Sequence, residues 1–362
     1  MEACKNHNGE IFCVVCGETE SVEVHDGLGV CTEHFSEVFS RCSKCGQYVD
    51  NEHVELWTSD TSHHSTQKKV LCKTCANEER TTHPQTRWLQ TDWAAMESSH
   101  AVGVEMECIN KSNMTIEEIY RKYPKQMAFW SQHYDSSVTG GLELVSSPIM
   151  MKRFKKFMTS CAWMEKIFKV DNTCGLHVHF NMRPWINFET ADIEELGTIL
   201  QKLHYGFMKL EKYMFSAQPS SRNPGGERYS FTKKTNDVFH TLTESRVRHM
   251  KPTEFVKKYY ENSGYTIIDT CDIPKEKMGI RYCWLNLSVI SLHDTIEFRL
   301  HSGSTSAKKI MIWVSILDKL MTHILDSTME QLDTFSPQKL RDILTIEEMD
   351  YLNHRIEKFR RE

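Results

Sequence analysis

No apolar run in this chain approaches the roughly 18 residues that cross a bilayer, and the opening MEACKNHNGE has no signal-peptide pattern. The expectation is a cytoplasmic protein with no membrane partner. Positive charge is not in excess. The net charge of −5 argues against a general nucleic-acid surface, though it leaves room for a local basic patch. No GxxxxGK(S/T) segment occurs, which excludes a P-loop enzyme. No internal repeat is visible. What is present is an ordinary globular composition, 40% hydrophobic and 26% charged, over 362 residues, enough for one large domain and a small one.

Cysteine is the residue in surplus, with thirteen in the chain, and most of the early ones come in CxxC-type pairs. Without a secretion signal, that spacing favours reduced, metal-bound thiols over disulfides. Cys13 and Cys16 form a CVVC knuckle, Cys31 and His34 a CTEH pair, Cys42 and Cys45 a CSKC pair, and Cys72 and Cys75 a CKTC pair. Zinc takes four soft ligands in a tetrahedron, and a two-residue gap lets one tight turn supply two of them. Four pairs make two structural zinc sites. Sequential pairing gives Cys13, Cys16, Cys31 and His34 to one, and Cys42, Cys45, Cys72 and Cys75 to the other; a cross-braced pairing is also compatible with the spacing. Cys4 and His7, also two residues apart, are read as incidental.

The texture divides the chain into a zinc-binding module over 1–80, a linker over 81–98, a larger domain over 99–330 and a helical extension over 331–362. In the larger domain, HAVGVEMECI, GGLELVSSPI and CGLHVHFNM read as strands, and RYCWLNLSVI with DTIEFRLHSG as a strand pair. Helices are expected over 191–215 and 306–326. MKRFKKFMTSCAWMEKIF shows a helical stripe at Phe154, Phe157, Cys161, Met164 and Phe168. Residues 216–236 form a long polar loop of the length that accompanies function.

Strand alternation puts Glu105 with Glu107, His177 with His179, and Glu297 with Arg299 on common faces, while Glu143 stands alone among apolar neighbours. Any one of these is compatible with a solvent-exposed sheet face. Taken together they are not ordinary surface strands, which carry Lys, Thr and Ser. Buried carboxylates that converge need cations. Hard oxygen ligands with one or two imidazoles suit magnesium or manganese, and an arginine beside them suits a phosphate or carboxylate. That combination describes phosphoryl transfer from a metal–nucleotide complex.

In their order, GVEMECIN, DSSVTGGLELVSSPI, CGLHVHFNM, RYCWLNL and TIEFRLHSGST resemble the amidoligases of phages and mobile elements, carboxylate–amine ligases of the glutamine synthetase and gamma-glutamylcysteine ligase superfamily. The resemblance covers roughly residues 100 to 326. It implies an α+β fold, a curved and mainly antiparallel sheet with helices on its outer face, here preceded by the double zinc module. It also implies an ATP- and Mg2+- or Mn2+-dependent enzyme that forms an amide or isopeptide bond through an acyl phosphate, in the host cytoplasm if phage-encoded. Carried over residue by residue, it makes Glu105, Glu107, Glu143 and Glu297 metal ligands and His177 a metal or phosphate-side ligand supported by His179. Arg299 would meet the transferring phosphate, and Arg281 the nucleotide phosphate or the carboxylate. Arg222 and Arg228, on the loop where such folds carry mobile substrate segments, would join Arg281 and Arg299 in binding the nucleotide cofactor. The partners are then a carboxylate and an amine, on a small molecule, a peptide or a protein, with the zinc module free to dock a macromolecule. Cys174 reads as a small packed residue, because nothing positions a base beside it. Two other readings stay open: a metallohydrolase using the HxH pair, and a zinc-module binding protein on an inactive ligase fold.

Overall fold

The computed structural model describes residues 11, 13, 16, 19–20, 22–25, 28–50, 55–60, 66–82, 87–89, 100–127, 129–134, 138, 141–188, 190–222, 234–262, 283–290 and 294–360. They divide into two compact units, Met1–Asp92 with Met114–Gln132, and Trp93–Asn113 with His133–Glu362. The segment Met114–Gln132, expected with the later region, thus falls in the first unit. Of the residues singled out in the sequence, Arg228, Arg281, Cys4, His7, loop residues 223–233 and most of the linker lie outside the described residues. No described helix is long and apolar enough to cross a membrane.

The first unit is built from short antiparallel pairings. Val22–His25 pairs with Leu28–Cys31, Phe39–Arg41 with Tyr48–Asp50, and Glu55–Asp60 with both Thr66–Leu71 and Arg87–Leu89. The two small cores are centred on the cysteine pairs: Cys13, Val30, Cys31 and Phe39 in one, and Cys42, Val49, Leu71, Cys75 and Ala76 in the other. A core of so few side chains contributes little by burial alone, the situation in which small domains add metals.

In the second unit the strands are β1 (Ala101–Asn110), β2 (Leu142–Ser146), β3 (Ile149–Met150), β4 (Phe168–Lys169), β5 (Gly175–Asn181), β6 (Leu285–Asn286) and β7 (Thr295–Ser302). They run β6-β7-β5-β1-β2, every adjacent pair antiparallel, with β3 and β4 also pairing to β1. The order does not close into a barrel. Mixed helix and mainly antiparallel sheet is therefore the observed class.

The principal helices are α1 (Met151–Ser160), α2 (Ile193–Ser216), α3 (Pro252–Asn262), α4 (Ala307–Asp326) and α5 (Ile346–Phe359). α2 starts where its sequence signals a start: the Asp192 carboxylate accepts from the backbone N–H groups of Glu194 and Glu195, and those two acids complement the positive helix end. Leu200, Leu203, Phe207, Leu210 and Met214 then form its buried stripe. Phe207 meets Phe298 of β7 at 4.9 Å between ring centroids, and Trp313 of α4 meets His301 at 4.9 Å. These contacts cover the sheet face that carries Leu176, Val178 and Phe180, all fully buried. Burying each large apolar side chain there contributes about 1.5–3 kcal/mol. A Cβ on Gly206 would lie 2.7 Å from the Ile324 side chain, so the missing side chain lets α2 and α4 pack closely.

The stretch 151–168 is not one helix. α1 ends at Ser160, a separate turn covers Met164–Ile167, and Phe168 begins β4, paired with Asn110. Thr159 and Ser160 donate back to the carbonyls of Lys155 and Phe157, local bonds that compete with helix continuation. All five apolar stripe residues are nevertheless buried, since the strand reaches the same core.

Candidate active site

The site follows from pairing register. β5 lies between β1 and β7, and His177 is opposite Glu105 on one side while His179 is opposite Glu297 on the other. Glu143 of β2 is opposite Glu107, and Asn286 of β6 is opposite Glu297. Directly paired residues share a face, so four carboxylates, two imidazoles and an amide gather on the face turned away from Leu176, Val178 and Phe180.

The distances are those of a tightly coupled cluster. His177 Nδ1 lies 3.2 Å from Glu105 Oε2 and 3.6 Å from Glu297 Oε1, and its Nε2 lies 3.6 Å from Glu107 Oε1. His179 Nε2 is 3.3 Å from Glu105 Oε1 and 3.8 Å from Glu297 Oε1. Burial alone would raise the Glu105 carboxyl, but His179 and His177 outweigh it and hold it well below the usual range. Burial likewise opposes ionisation of Glu297, yet Arg299 and the two histidines bring it down. For His179 the balance reverses: burial pushes it down, and Glu105 and Glu297 push it further up.

The donor set fits a hard divalent cation. Ligand atoms of Glu105, His179 and Glu297 lie within 4.8 Å of one another, as do those of Glu105, Glu143 and His177, so Glu105 is common to two groups of metal-binding dimensions. His179 Nδ1 bonds the Thr295 hydroxyl at 3.3 Å, while its buried Nε2 faces the carboxylates and makes no hydrogen bond. An imidazole fixed on one nitrogen and open on the other is how a metal-ligating histidine is oriented. Each group holds one imidazole and two carboxylates, an oxygen-rich set that suits magnesium or manganese over zinc. Glu107 belongs to neither group: its Oε2 accepts from the Gly175 N–H and lies 3.6 Å from Arg222 Nη2.

Two of the four arginines, Arg299 and Arg222, fall among the described residues. Arg299 donates to Glu297 Oε1 and lies beside the cluster. Arg222 is 4% exposed, at the β5 end of the site against Glu107 and Gly175. Burial lowers its basicity and Glu107 partly restores it. Three contributors escaped sequence reasoning. Asn286 donates to Glu297 Oε2 at 2.8 Å, Thr295 supports His179, and Gly175 binds Glu107. Asn286 was findable as the single amide in WLNL, and Thr295 as the residue two before Glu297 on the same face. Cys174 is buried, and burial pushes its thiol up to about 11, which leaves no thiolate for nucleophilic attack.

In the first unit the cysteine pairs meet in the sequential combination, Cys13, Cys16, Cys31 and His34 in one cluster and Cys42, Cys45, Cys72 and Cys75 in the other. The Cys16–Cys31 and Cys45–Cys72 sulfurs are each 3.8 Å apart. That is far beyond the ~2.05 Å of a disulfide, and close to the edge of a tetrahedron with ~2.3 Å metal–sulfur bonds. The turns are shaped for it: Gly46, at φ +76°, closes the 42–45 knuckle by donating to the Cys42 carbonyl, and the Cys75 N–H points at the Cys72 sulfur at 3.4 Å.

No curated protein matches the chain. Among solved structures it is similar to a bifunctional glutathione synthetase from Pasteurella multocida, with 11% identity and a TM-score of 0.37 over 73% of this chain and 47% of that one. The match thus spans just under half of that protein's length. The family described as "Putative amidoligase enzyme" matches residues 90–321, the region that holds every member of the carboxylate–imidazole cluster, and the chain belongs to that family.

Proposed function

We propose that the chain is an ATP-dependent carboxylate–amine ligase on a glutamine synthetase-like sheet, using Mg2+ or Mn2+ and forming an amide or isopeptide bond through an acyl phosphate. The observation that carries this reading is the register that collects Glu105, Glu143, Glu297, His177 and His179 on one face of the sheet in a chain of the amidoligase family. These five side chains would hold the metal. Metal-bound ATP supplies a transferable phosphoryl group that turns a carboxylate oxygen into a good leaving group.

The chain's own residues then have distinct tasks. Arg299, with its planar fork beside Glu297, neutralises charge on the transferring phosphoryl group. Glu107 holds Arg222 at the edge of the cluster, where the guanidinium can meet the second anionic partner. Asn286 and Thr295 fix Glu297 and His179 so that their remaining atoms point inward. Arg281 and Arg228 are assigned to nucleotide phosphates from outside the described residues. The two clusters of the first unit would each hold one structural zinc, and a closed tetrahedral site suits docking of a macromolecular substrate rather than chemistry.

The decisive experiment follows oxygen. With an 18O-labelled carboxylate substrate, attack on the γ-phosphorus expels ADP, and amine attack on the acyl carbon then expels phosphate bearing one carboxylate oxygen. The label appears in inorganic phosphate. Condensation products found by mass spectrometry with no label in phosphate would refute the acyl-phosphate route, and an absence of any ATP-dependent condensation would refute the ligase.

A further inference from the structure

A cavity of about 490 Å3 in the second unit shares no lining residue with the metal-binding groups and has the opposite charge character. Its charged lining is Lys111, Lys169, Lys309, Lys358 and Arg355 against the single acid Glu165. None of the five cations is ion-paired to a carboxylate among the described residues, and Lys111 instead donates to the Glu165 backbone carbonyl at 2.7 Å. Arg355 is the informative one. It is 8% exposed, and its guanidinium is anchored on neutral groups: the Ala217 carbonyl at 2.8 Å, Gln218 Oε1 at 2.8 Å and Ser302 Oγ at 3.1 Å. A buried cation with no counter-ion is unfavourable unless an anion joins it.

The other wall of the cavity supplies neutral donors. Ser302 to Ser306 run directly into α4, whose N-cap residue Ser306 makes no side-chain cap, so the first N–H groups of a long helix have no hydroxyl partner from that position. Converging N–H groups and the positive end of the helix dipole favour a negative charge at that point. One carboxylate would neutralise one of five cations and use two acceptor oxygens. A phosphoryl group brings close to two charges and three acceptors, and a diphosphate brings more.

We infer that this cavity is a binding site for a phosphate-bearing ligand, held between the Ser302–Ser306 turn at the start of α4 and the basic face of α5. The site does not depend on the ligase reading. Lys358 and Arg355 belong to α5, beyond the matched region 90–321, so this cavity is a feature of the whole chain and not of that region alone.

Inorganic pyrophosphate in magnesium-free buffer is the probe, titrated calorimetrically into the full chain with the thermal midpoint followed in parallel. Binding should be saturable at sub-millimolar concentration, raise the midpoint and weaken as salt rises. The double variant Lys309→Glu/Lys358→Glu changes two exposed side chains; it should melt like the parent without ligand and bind pyrophosphate at least tenfold more weakly. Glu105→Gln should bind it as the parent does. If ADP displaces pyrophosphate, the ligand is a nucleotide. If ADP fails and a sugar phosphate succeeds, it is a phosphorylated metabolite or substrate. No binding at millimolar pyrophosphate, or equal binding by the lysine variant, would overturn the site.

Discussion

His177 and Glu105 stand opposite each other across the β1–β5 pairing with Nδ1 3.2 Å from Oε2, and the second Glu105 oxygen lies 3.3 Å from His179 Nε2. One carboxylate thus serves both imidazoles of the HxH pair and both potential metal groups. It is the residue on which the two halves of the site depend.

Glu105→Gln keeps the shape and removes that shared charge. Manganese affinity should fall tenfold or more by calorimetry or spin resonance, and ATP-dependent turnover should fall by about 100-fold or more, the scale of losing one preorganised electrostatic group. Glu297→Gln should reduce both too, but it also leaves one acceptor oxygen for the two donors Arg299 and Asn286, so one bond is lost and the thermal midpoint should fall, equivalent to about 1.5–3 kcal/mol for a bond to a buried charge. A Glu105→Gln enzyme with full metal affinity and turnover would remove the cluster from the mechanism.

Gly175→Ala tests the arginine end of the site. A Cβ there would lie 2.6 Å from Arg222 Nη2 and 3.0 Å from its Cζ, so the guanidinium must leave Glu107 or the strand must shift. Overpacking of this kind costs about 1–3 kcal/mol. The expected result is a lower midpoint together with a raised KM for one substrate. A midpoint unchanged from the parent would mean that Arg222 gives way freely and has no fixed task.

Acid should weaken the second unit through His204. The ring is buried among Phe239, Phe255 and Tyr259 with Nε2 unbonded, and burial alone lowers its pKa from 6.5 to about 3. Because the folded pKa is depressed, the unfolded chain takes up the proton first. Stability is complete above about 6.5 and declines as pH falls toward 3, by at most about 1.4 kcal/mol per pH unit. His204→Phe should flatten the dependence of the melting midpoint between pH 7 and pH 5. An identical slope in the variant would show that the proton uptake occurs elsewhere.

For the first unit, elemental analysis should find two zinc ions per chain, and Cys45→Ser should leave one. Shared ligands between the clusters would instead lose both ions with a single substitution.

Much of this arrangement was legible in the sequence because strand alternation is rigid: once CGLHVHF is a strand, His177 and His179 must share a face, and likewise Glu105 with Glu107. The CxxC spacings similarly restrict where sulfurs can gather. Which strands neighbour one another was less legible. Pairing of β5 with both β1 and β7 is a long-range choice set by the sheet order, and only that choice puts Glu105 and Glu297 against the same histidines. Glu107 shows where alternation runs out. It lies on the expected face, yet its neighbours are the Gly175 N–H and Arg222, and no local pattern encodes them. The helical stripe over 151–168 holds for Met151–Ser160 and Met164–Ile167 and fails at its end, where Phe168 begins a strand: strand and helix can bury the same apolar residues, and the period alone does not mark where one gives way to the other.

The sheet order has a consequence for biosynthesis. Glu105 enters with the first strand of the second unit and Glu297 with the last, while the histidines they share come from the strand between. A ribosome can complete β1, β2 and β5 and still have made only a carboxylate cluster without its Arg299 or its Glu297. Such long-range pairings close slowly, so the nascent chain exposes the edge of β5 that β7 later covers. Release of the last strand from the ribosome is then the step at which the carboxylate–imidazole cluster is completed, and a stalled or truncated chain ending before residue 295 presents an unpaired strand edge prone to association with other chains.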